Sequence, residues 1–365
     1  MADKFKKDPV LVISGILACI SCFFVHPDME YIGYINFRVL AILFALMLVV
    51  ASLGNIGFFD FLTSRMIRIV KNQRQASQIL VILAFFMSMF MTNDVTLVTL
   101  VPFAMITVGR FGDHKGMMYT LILMTCAANL GSMMTPIGNP QNLYLYTQYE
   151  MSMLHFLKLM LPYTLLSLLL ILIASFIFVG KGGEVEPVRE KYPPNAWKLA
   201  VLTLLFAIAI LSVLGILHYL IMLALIICVI FIMDRKAFAK ADYSLLITFV
   251  FFFVLIGNLG RLEVVYNTMS EVVSRSPVIT AVLASQVISN VPAAMLLSAF
   301  TSDGDALVIG TNLGGLGTLI ASMASLITYK IYIRENKDGG KYIAAFSIIN
   351  VIMLALLVGA YFIMP

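Results

Sequence analysis

The chain has 365 residues, 61% hydrophobic and 12% charged, with 24 Lys and Arg against 19 Asp and Glu for a net charge of +5. A soluble domain carries roughly 25% charge, so the composition excludes a water-soluble protein and points to an all-α polytopic membrane protein. The basic excess is no nucleic-acid signal, because the Lys and Arg residues fall in alternate loops between long apolar runs; at about 20 residues per crossing, roughly nine to eleven spans fit.

Lys and Arg favour cytoplasmic loops, and that rule orders the spans. Lys4, Lys6 and Lys7 precede a first span over about 9–25, which reads as a span rather than a cleavable signal peptide. The loop with Asp28 and Glu30 is then external, and a second span (about 38–58) returns to Arg65, Arg68, Lys71 and Arg74. The stretch 76–109 begins beside Arg74 and ends beside Arg110 and Lys115, so both its ends are cytoplasmic. A third span (about 117–147) leads out to Glu150, and a fourth (about 154–180) returns to Lys181, Arg189 and Lys191. Residues 181–195 contain Pro187 and Pro193-Pro194 and read as the linker. Spans follow at about 196–214, 217–233 and 243–260, the last going out to Glu263 and Glu271. The stretch 277–300 starts and ends outside, and spans at about 305–331 and 342–363 complete the chain. The N-terminus is expected in the cytoplasm and the C-terminus outside, in a bacterial inner membrane.

Segment 277–300 is too short to cross twice. Its 24 residues give two arms of roughly 12, each reaching about 18 Å at 1.5 Å per residue, so the turn stops near the midplane. A re-entrant hairpin is expected there; the stretch 76–109 is long enough for two full spans, and its match to 277–300 argues for a second hairpin with Thr92-Asn93-Asp94 at its tip.

Three echoes link the halves. Asn129-Leu130-Gly131 with Thr135 and Ile137 recurs as Asn312-Leu313-Gly314 with Thr318 and Ile320, at an offset of 312 − 129 = 183. Thr92-Asn93-Asp94 matches Ser289-Asn290-Val291 at 290 − 93 = 197, and Gly54-Asn55-Ile56-Gly57 matches Gly257-Asn258-Leu259-Gly260 at 257 − 54 = 203. Their common order predicts two inverted repeats, each with a hairpin and a broken helix: about nine spans plus two hairpins. The expected division is a first repeat over 1–180, a linker and bridging span over 181–215, and a second repeat over 216–365.

The breaks are expected at Gly131–Asn142, with two prolines, and at Gly310–Thr318, with four glycines. Freed backbone groups in hydrocarbon must face protein or a wet cavity. Helix N-termini there attract anions, and the carbonyl ends coordinate small cations. Tight packing through small residues is the structural alternative, outweighed here by the asparagines and the duplication. Asp94 is the one acidic side chain expected deep in the membrane, as an ion ligand, a proton carrier or a hairpin-tip cap. Cys19, Cys22, Cys126 and Cys228 read as packing residues, and four scattered histidines suggest no metal site or catalytic dyad.

These tips and breaks, with Thr135-Pro136-Ile137-Gly138-Asn139 and Gly57-Phe58-Phe59-Asp60, resemble the ion transporter superfamily of arsenite permeases, citrate transporters, divalent anion:sodium symporters and sodium/proton antiporters. The resemblance implies a scaffold holding a moving transport domain, with elevator-type alternating access. It implies that Asn93 and Asn290 contact substrate and ion, and that the two breaks complete cation sites. The tips depart from the symporters' Ser-Asn-Thr, since Val291 removes a hydroxyl and Asp94 adds a charge.

The expected function is secondary active transport of a small anion or oxyanion, coupled to Na⁺ or H⁺, with no other cofactor. Candidate substrate contacts are Thr92, Asn93, Asp94, Thr135, Pro136, Asn139, Ser289, Asn290, Val291, Thr311, Asn312 and Thr318. Candidate Na⁺ ligands are Asn93, Asp94, Asn129, Gly131, Asn290, Asn312 and Gly314. The expected partners are the small anion and the lipid bilayer, with no nucleic acid, and a homodimer stays open. The alternatives are Na⁺/H⁺ antiport and, from another class, an intramembrane enzyme, which the scattered histidines disfavour.

Overall fold

The computed structural model describes residues 9–67, 70–109, 111, 113–182 and 192–363. Lys4, Lys6, Lys7, Arg68, Arg110, Arg189 and Lys191, and most of the 181–195 linker with Pro187, lie outside the described residues. Every regular element among the described residues is helical.

In chain order the helices are α1 (Pro9–Phe24), α2 (Glu30–Tyr34), α3 (Phe37–Asn55), α4 (Phe58–Ile67), α5 (Gln73–Met87), α6 (Asn93–Gly109), α7 (His114–Ser132), α8 (Pro140–Gln148) and α9 (Met153–Phe178). They continue as α10 (Ala196–Val213), α11 (Tyr219–Met233), α12 (Lys236–Lys240), α13 (Tyr243–Gly260), α14 (Glu263–Arg275), α15 (Pro277–Ile288), α16 (Asn290–Ser298), α17 (Gly304–Leu313), α18 (Met323–Glu335) and α19 (Gly339–Ile363). Five of them, α3, α9, α10, α13 and α19, are long and apolar enough to cross a membrane by length and composition. Shorter apolar helices include α6, α11 and α15. The lipid-facing surface is legible on α9, where Leu161, Leu165, Leu169 and Ile173 recur every fourth residue and stay exposed.

The chain forms two compact units, each assembled from both halves of the sequence. The first comprises Met1–Ile56, Asn195–Pro277 and Ala294–Gly304. Here α1 packs on α13, and α3 packs on α10, α11 and α12. Several polar groups on these apolar helices find partners across the unit. Asn258 of α13 donates to Ser21 Oγ at 2.9 Å and to the Tyr31 hydroxyl at 2.8 Å. Arg38 donates to the last carbonyls of α10, Ser212 and Val213, at 3.3 and 3.4 Å, as a cation at a helix C-terminus should. At the α13 end, the Arg261 guanidinium lies 2.7 Å from Asp28 and its hydrogen bond holds that carboxyl below the usual carboxylate range. Asn55 and Asn258, equivalent in the Gly-Asn echo, are thus tied differently: Asn55 bonds Asp234 at 2.7 Å and also accepts from Lys240.

The second unit comprises Gly57–Pro194, Val278–Ala293 and Asp305–Pro365. Its centre is α7, buried without interruption from Thr120 through Ser132. Helices α5, α6, α9, α18 and α19 all pack against α7. A helix this apolar and this enclosed needs no amphipathic face. Its hydroxyls find partners at short range: Thr120 Oγ1 donates to Gly116 O at 2.7 Å, and Thr125 Oγ1 to Leu121 O at 2.8 Å.

Candidate functional site

The interruptions stand close to their expected places; the first is narrower than expected and the second is displaced along the chain. In the first half α7 runs through Ser132 and α8 begins at Pro140, leaving 133–139 irregular. Asn139 caps α8 by accepting from Asn142 N at 2.9 Å, with proline at the first helical position. In the second half the interruption lies further along than expected. Gly310, Thr311 and Asn312 are helical, and residues 314–322 are irregular before α18. The shift has a packing reason: Gly310 lets α17 lie against α15, where an added Cβ would sit 2.7 Å from Ala281 Cβ and Val278 O. The paired helices α5 and α6 are joined through Ser88–Thr92, and α15 and α16 through Ser289 alone. Ser289 has φ of 73°, the left-handed region that costs a non-glycine residue about 1–2 kcal/mol.

Equivalent contacts recur in both halves, at the two offsets of the sequence echoes. Asn93 N donates to Gly138 O at 3.3 Å, and Asn290 N to Ala321 O at 3.0 Å, where 290 − 93 = 197 and 321 − 138 = 183. Thr135 Oγ1 donates to Met89 O, and Thr318 Oγ1 to Gln286 O at 3.1 Å. Gly138 N bonds Thr135 O, and Ala321 N bonds Thr318 O, both at 3.2 Å. Gly131 lies against α5, where an added Cβ would be 2.0 Å from Phe85 O and 2.7 Å from Ser88 Oγ; at Gly314 it would be 2.7 Å from Ser285 Cβ and Oγ. Glycine is required at both positions by the approach of the neighbouring chain.

The two breaks also hold each other. Asn139, which precedes α8, donates to Asn312 Oδ1 at 3.1 Å. Its counterpart Ser322, which precedes α18, donates to Asn129 Oδ1 at 2.9 Å. Asn129 further accepts from Asn93 Nδ2 at 2.8 Å and donates to Gly315 O at 3.3 Å. Asn312 donates to Asn142 Oδ1 at 2.6 Å and to Val308 O at 2.7 Å. The buried amides thus satisfy one another, as a polar cluster in an apolar interior must. Four helices, α6, α8, α16 and α18, start at this cluster, so four positive dipole ends face it.

Of the candidate residues, Asn93, Asn129, Asn139 and Asn312 are brought into one buried hydrogen-bonded group. Asn290 is buried, its Oδ1 accepts from Val291 N at 2.9 Å, and its Nδ2 would lie 3.0 Å from a Cβ added at Gly315. Asp94 is half-buried in the first turn of α6 and its N–H donates to Asn93 Oδ1 at 3.0 Å. Thr92, Thr135 and Val291 are half-buried at the interruptions, and Pro136, Gly131, Gly314 and Ser289 are buried there. Two candidates stand apart from the asparagines. Thr311 Oγ1 donates to Leu307 O of its own helix at 2.7 Å, and Thr318 is exposed. Three residues outside the candidate set belong to it. Asn142 and Ser322 stand within the network, and Gln286 ties α15 to the second interruption. A lone amide in the apolar run 277–288 was the available signal for Gln286.

Asp94 is the one charged residue among Ser88–Asp94, Asn129–Asn142, Gln286–Val291 and Gly310–Ser325. Positive potential here comes from backbone amides and helix ends rather than from Lys or Arg.

Residues 4–303 match the citrate transporter family. The chain is 32% identical over 332 residues to an uncharacterized transporter of Methanocaldococcus jannaschii, covering 90% of both chains. It is 30% identical over 336 residues to the inner membrane protein YbiR of Escherichia coli, covering 90% of this chain and 88% of that one. A silicon efflux transporter, LSI3 of Oryza sativa subsp. japonica, is 30% identical over 157 residues, covering 42% of this chain and 32% of the relative. The chain belongs to the citrate transporter family; it is a multi-pass membrane transporter and not an enzyme.

Proposed function

We propose that this member of the citrate transporter family is a secondary active transporter of a small anion or oxyanion, coupled to Na⁺ or H⁺. The observation that carries the reading is the convergence of four helix N-termini on one buried amide cluster. Such ends concentrate backbone donors and partial positive charge, which suits an anion without any basic side chain. Asn93, Asn290 and the hydroxyls of Thr92, Ser289 and Thr135 supply hydrogen-bonding side chains at the tips and breaks; Asp94 is the group able to answer a cation or carry a proton. The family to which the chain is assigned is described by citrate, and one relative by silicon efflux. Both chemistries present oxygens to such donors.

The architecture in this reading is two inverted repeats with re-entrant hairpins at 73–109 and 277–298, an odd number of crossings separating them. The equivalent contacts at offsets of 197 and 183 support it. Division of the chain into two units drawn from both halves supports an elevator, in which the unit holding both interruptions moves against the other. The inner-membrane relative supports placement in a bacterial cell membrane, and in this reading the N-terminus is cytoplasmic because the Lys and Arg residues of alternate loops face that side.

The test is uptake into proteoliposomes across a panel of carboxylates, inorganic oxyanions and neutral oxyacids, with imposed Na⁺ and pH gradients. Transport of one oxygen-bearing solute that follows one of those gradients is expected, and Asp94→Asn should lose that dependence while the protein still binds solute. Flux indifferent to both gradients in the wild type would contradict secondary active transport. A gradient response unchanged in Asp94→Asn would make Asp94 a structural cap.

A further inference from the structure

The two interruptions share a backbone plan but differ at one position that faces bare carbonyls. Met89 and Gln286 are equivalent, 286 − 89 = 197. Gln286 uses its whole amide on the second interruption. Its Nε2 lies 2.9 Å from Gly314 O, 2.9 Å from Leu316 O and 3.2 Å from Val282 O. Its Oε1 accepts from Thr318 N at 2.9 Å. The seat is shaped for it: Gly317 has φ of 107°, and a Cβ there would lie 2.2 Å from Oε1. A nitrogen bearing two partly positive hydrogens among three carbonyl oxygens occupies the place a small cation would take. Hard cations take such oxygens at about 2.4 Å, and unwound carbonyls of broken helices are where coupling Na⁺ is held. Both cannot use the same lone pairs at once.

We propose that Gln286 is a tethered occupant of the second-half cation seat, so that this break binds no Na⁺ and ion coupling belongs to the first half, where Asp94 stands. The inference rests on the transport reading in one respect, that the breaks are ion-facing. Gly314 thereby leaves the set of Na⁺ ligands and becomes a carbonyl held by an amide. The first half has a counterpart, Asn142, whose Nδ2 also meets three carbonyls, at 3.1 Å from Thr135 O, 3.3 Å from Ser132 O and 3.4 Å from Met133 O; these contacts are longer than those of Gln286, and the charge that sets the first half apart is Asp94. There Met89 contributes only its carbonyl, to Thr135.

Thermal unfolding of the purified full-length protein in detergent tests this without knowledge of the substrate. Na⁺ is titrated against choline at constant ionic strength and pH 8, for wild type, Gln286→Ala and Gln286→Glu. Both variants should gain a saturable Na⁺-specific rise in midpoint beyond any shown by the wild type. The rise should be about 3 °C once Na⁺ exceeds its Kd roughly tenfold. Gln286→Glu keeps the size and the acceptor for Thr318 N, so it carries the test if the alanine variant does not fold. Recovery of the glutamate variant only in Na⁺ buffer would support the proposal; recovery in neither buffer would overturn it. Variants that answer Na⁺ just as the wild type does would overturn it too. If they did so while the wild type still transported, the transport reading would stand and this inference alone would fall. Na⁺-responsive variants in a protein that moved no solute would do the reverse.

Discussion

The first and second interruptions are two solutions to one packing problem. In both, a tip asparagine donates its N–H to the carbonyl just before the cap of the second helix half, and a threonine hydroxyl ties the break to the neighbouring helix pair. The side chains then diverge: Asp94 against Val291, Met89 against Gln286, Asn139 against Ser322 and Asn142 against Ser325. The first interruption keeps a charge and carries its amides next to its own break. The second has no charge and borrows an amide from across the helix pair. What is common to both is backbone geometry, and what differs is side-chain charge and hydrogen bonding. The scaffold of the site is therefore symmetric, while its electrostatics are one-sided.

The glycines test the shared geometry most severely. Gly131→Ala would drive a Cβ to 2.0 Å from a backbone carbonyl, Phe85 O, which cannot rotate away. A loss of about 3 kcal/mol is expected, the upper end of overpacking costs. At Gly314 an added Cβ would meet the small Ser285 side chain at 2.7 Å and the Gly310 carbonyl at 2.8 Å, both less close than Phe85 O is at Gly131, and a loss of about 1–2 kcal/mol is expected. Midpoints of thermal unfolding in detergent would rank the two, and equal or reversed losses would break the account of the close approach.

A smaller effect separates the tips. Ser289 holds φ of 73°, and Thr92, its equivalent at an offset of 197, is not among the positive-φ residues. Ser289→Gly should stabilise by up to about 1 kcal/mol through relief of that strain. Thr92→Gly should destabilise slightly, because glycine only adds freedom to the unfolded chain there. Stabilisation by both, or by neither, would show that the two tips share a backbone conformation.

Much of this was legible in the sequence for a definite reason. Duplicated asparagines and glycines in apolar runs are costly unless they meet something, and here they meet one another. The repeat offsets even identify which contacts are equivalent. The direction a side chain faces was not legible. Thr311 and Thr318 sit in the second motif beside Asn312, yet one bonds its own helix and the other is exposed. Helix ends were blurred too: a run of four glycines marks a weak helix, but Gly310 is helical because α15 packs into the space it leaves. Gln286 and Ser322 carried no motif, and their importance comes from distant partners that a linear reading does not supply.

The central claim is that one buried amide cluster at the two interruptions is the transport site. It is tested most directly by solute flux in proteoliposomes for the wild type, Asn93→Ala and Asn290→Ala, with unfolding midpoints measured alongside. Asn93 loses its bond to Asn129, so its alanine variant should be less stable by about 1–3 kcal/mol, whereas Asn290→Ala should be closer to wild type. Both variants should nonetheless lose at least about tenfold in flux, the consequence of roughly 1.4 kcal/mol at the site. Wild-type flux in both alanine variants would contradict the assignment and leave the cluster as structural packing.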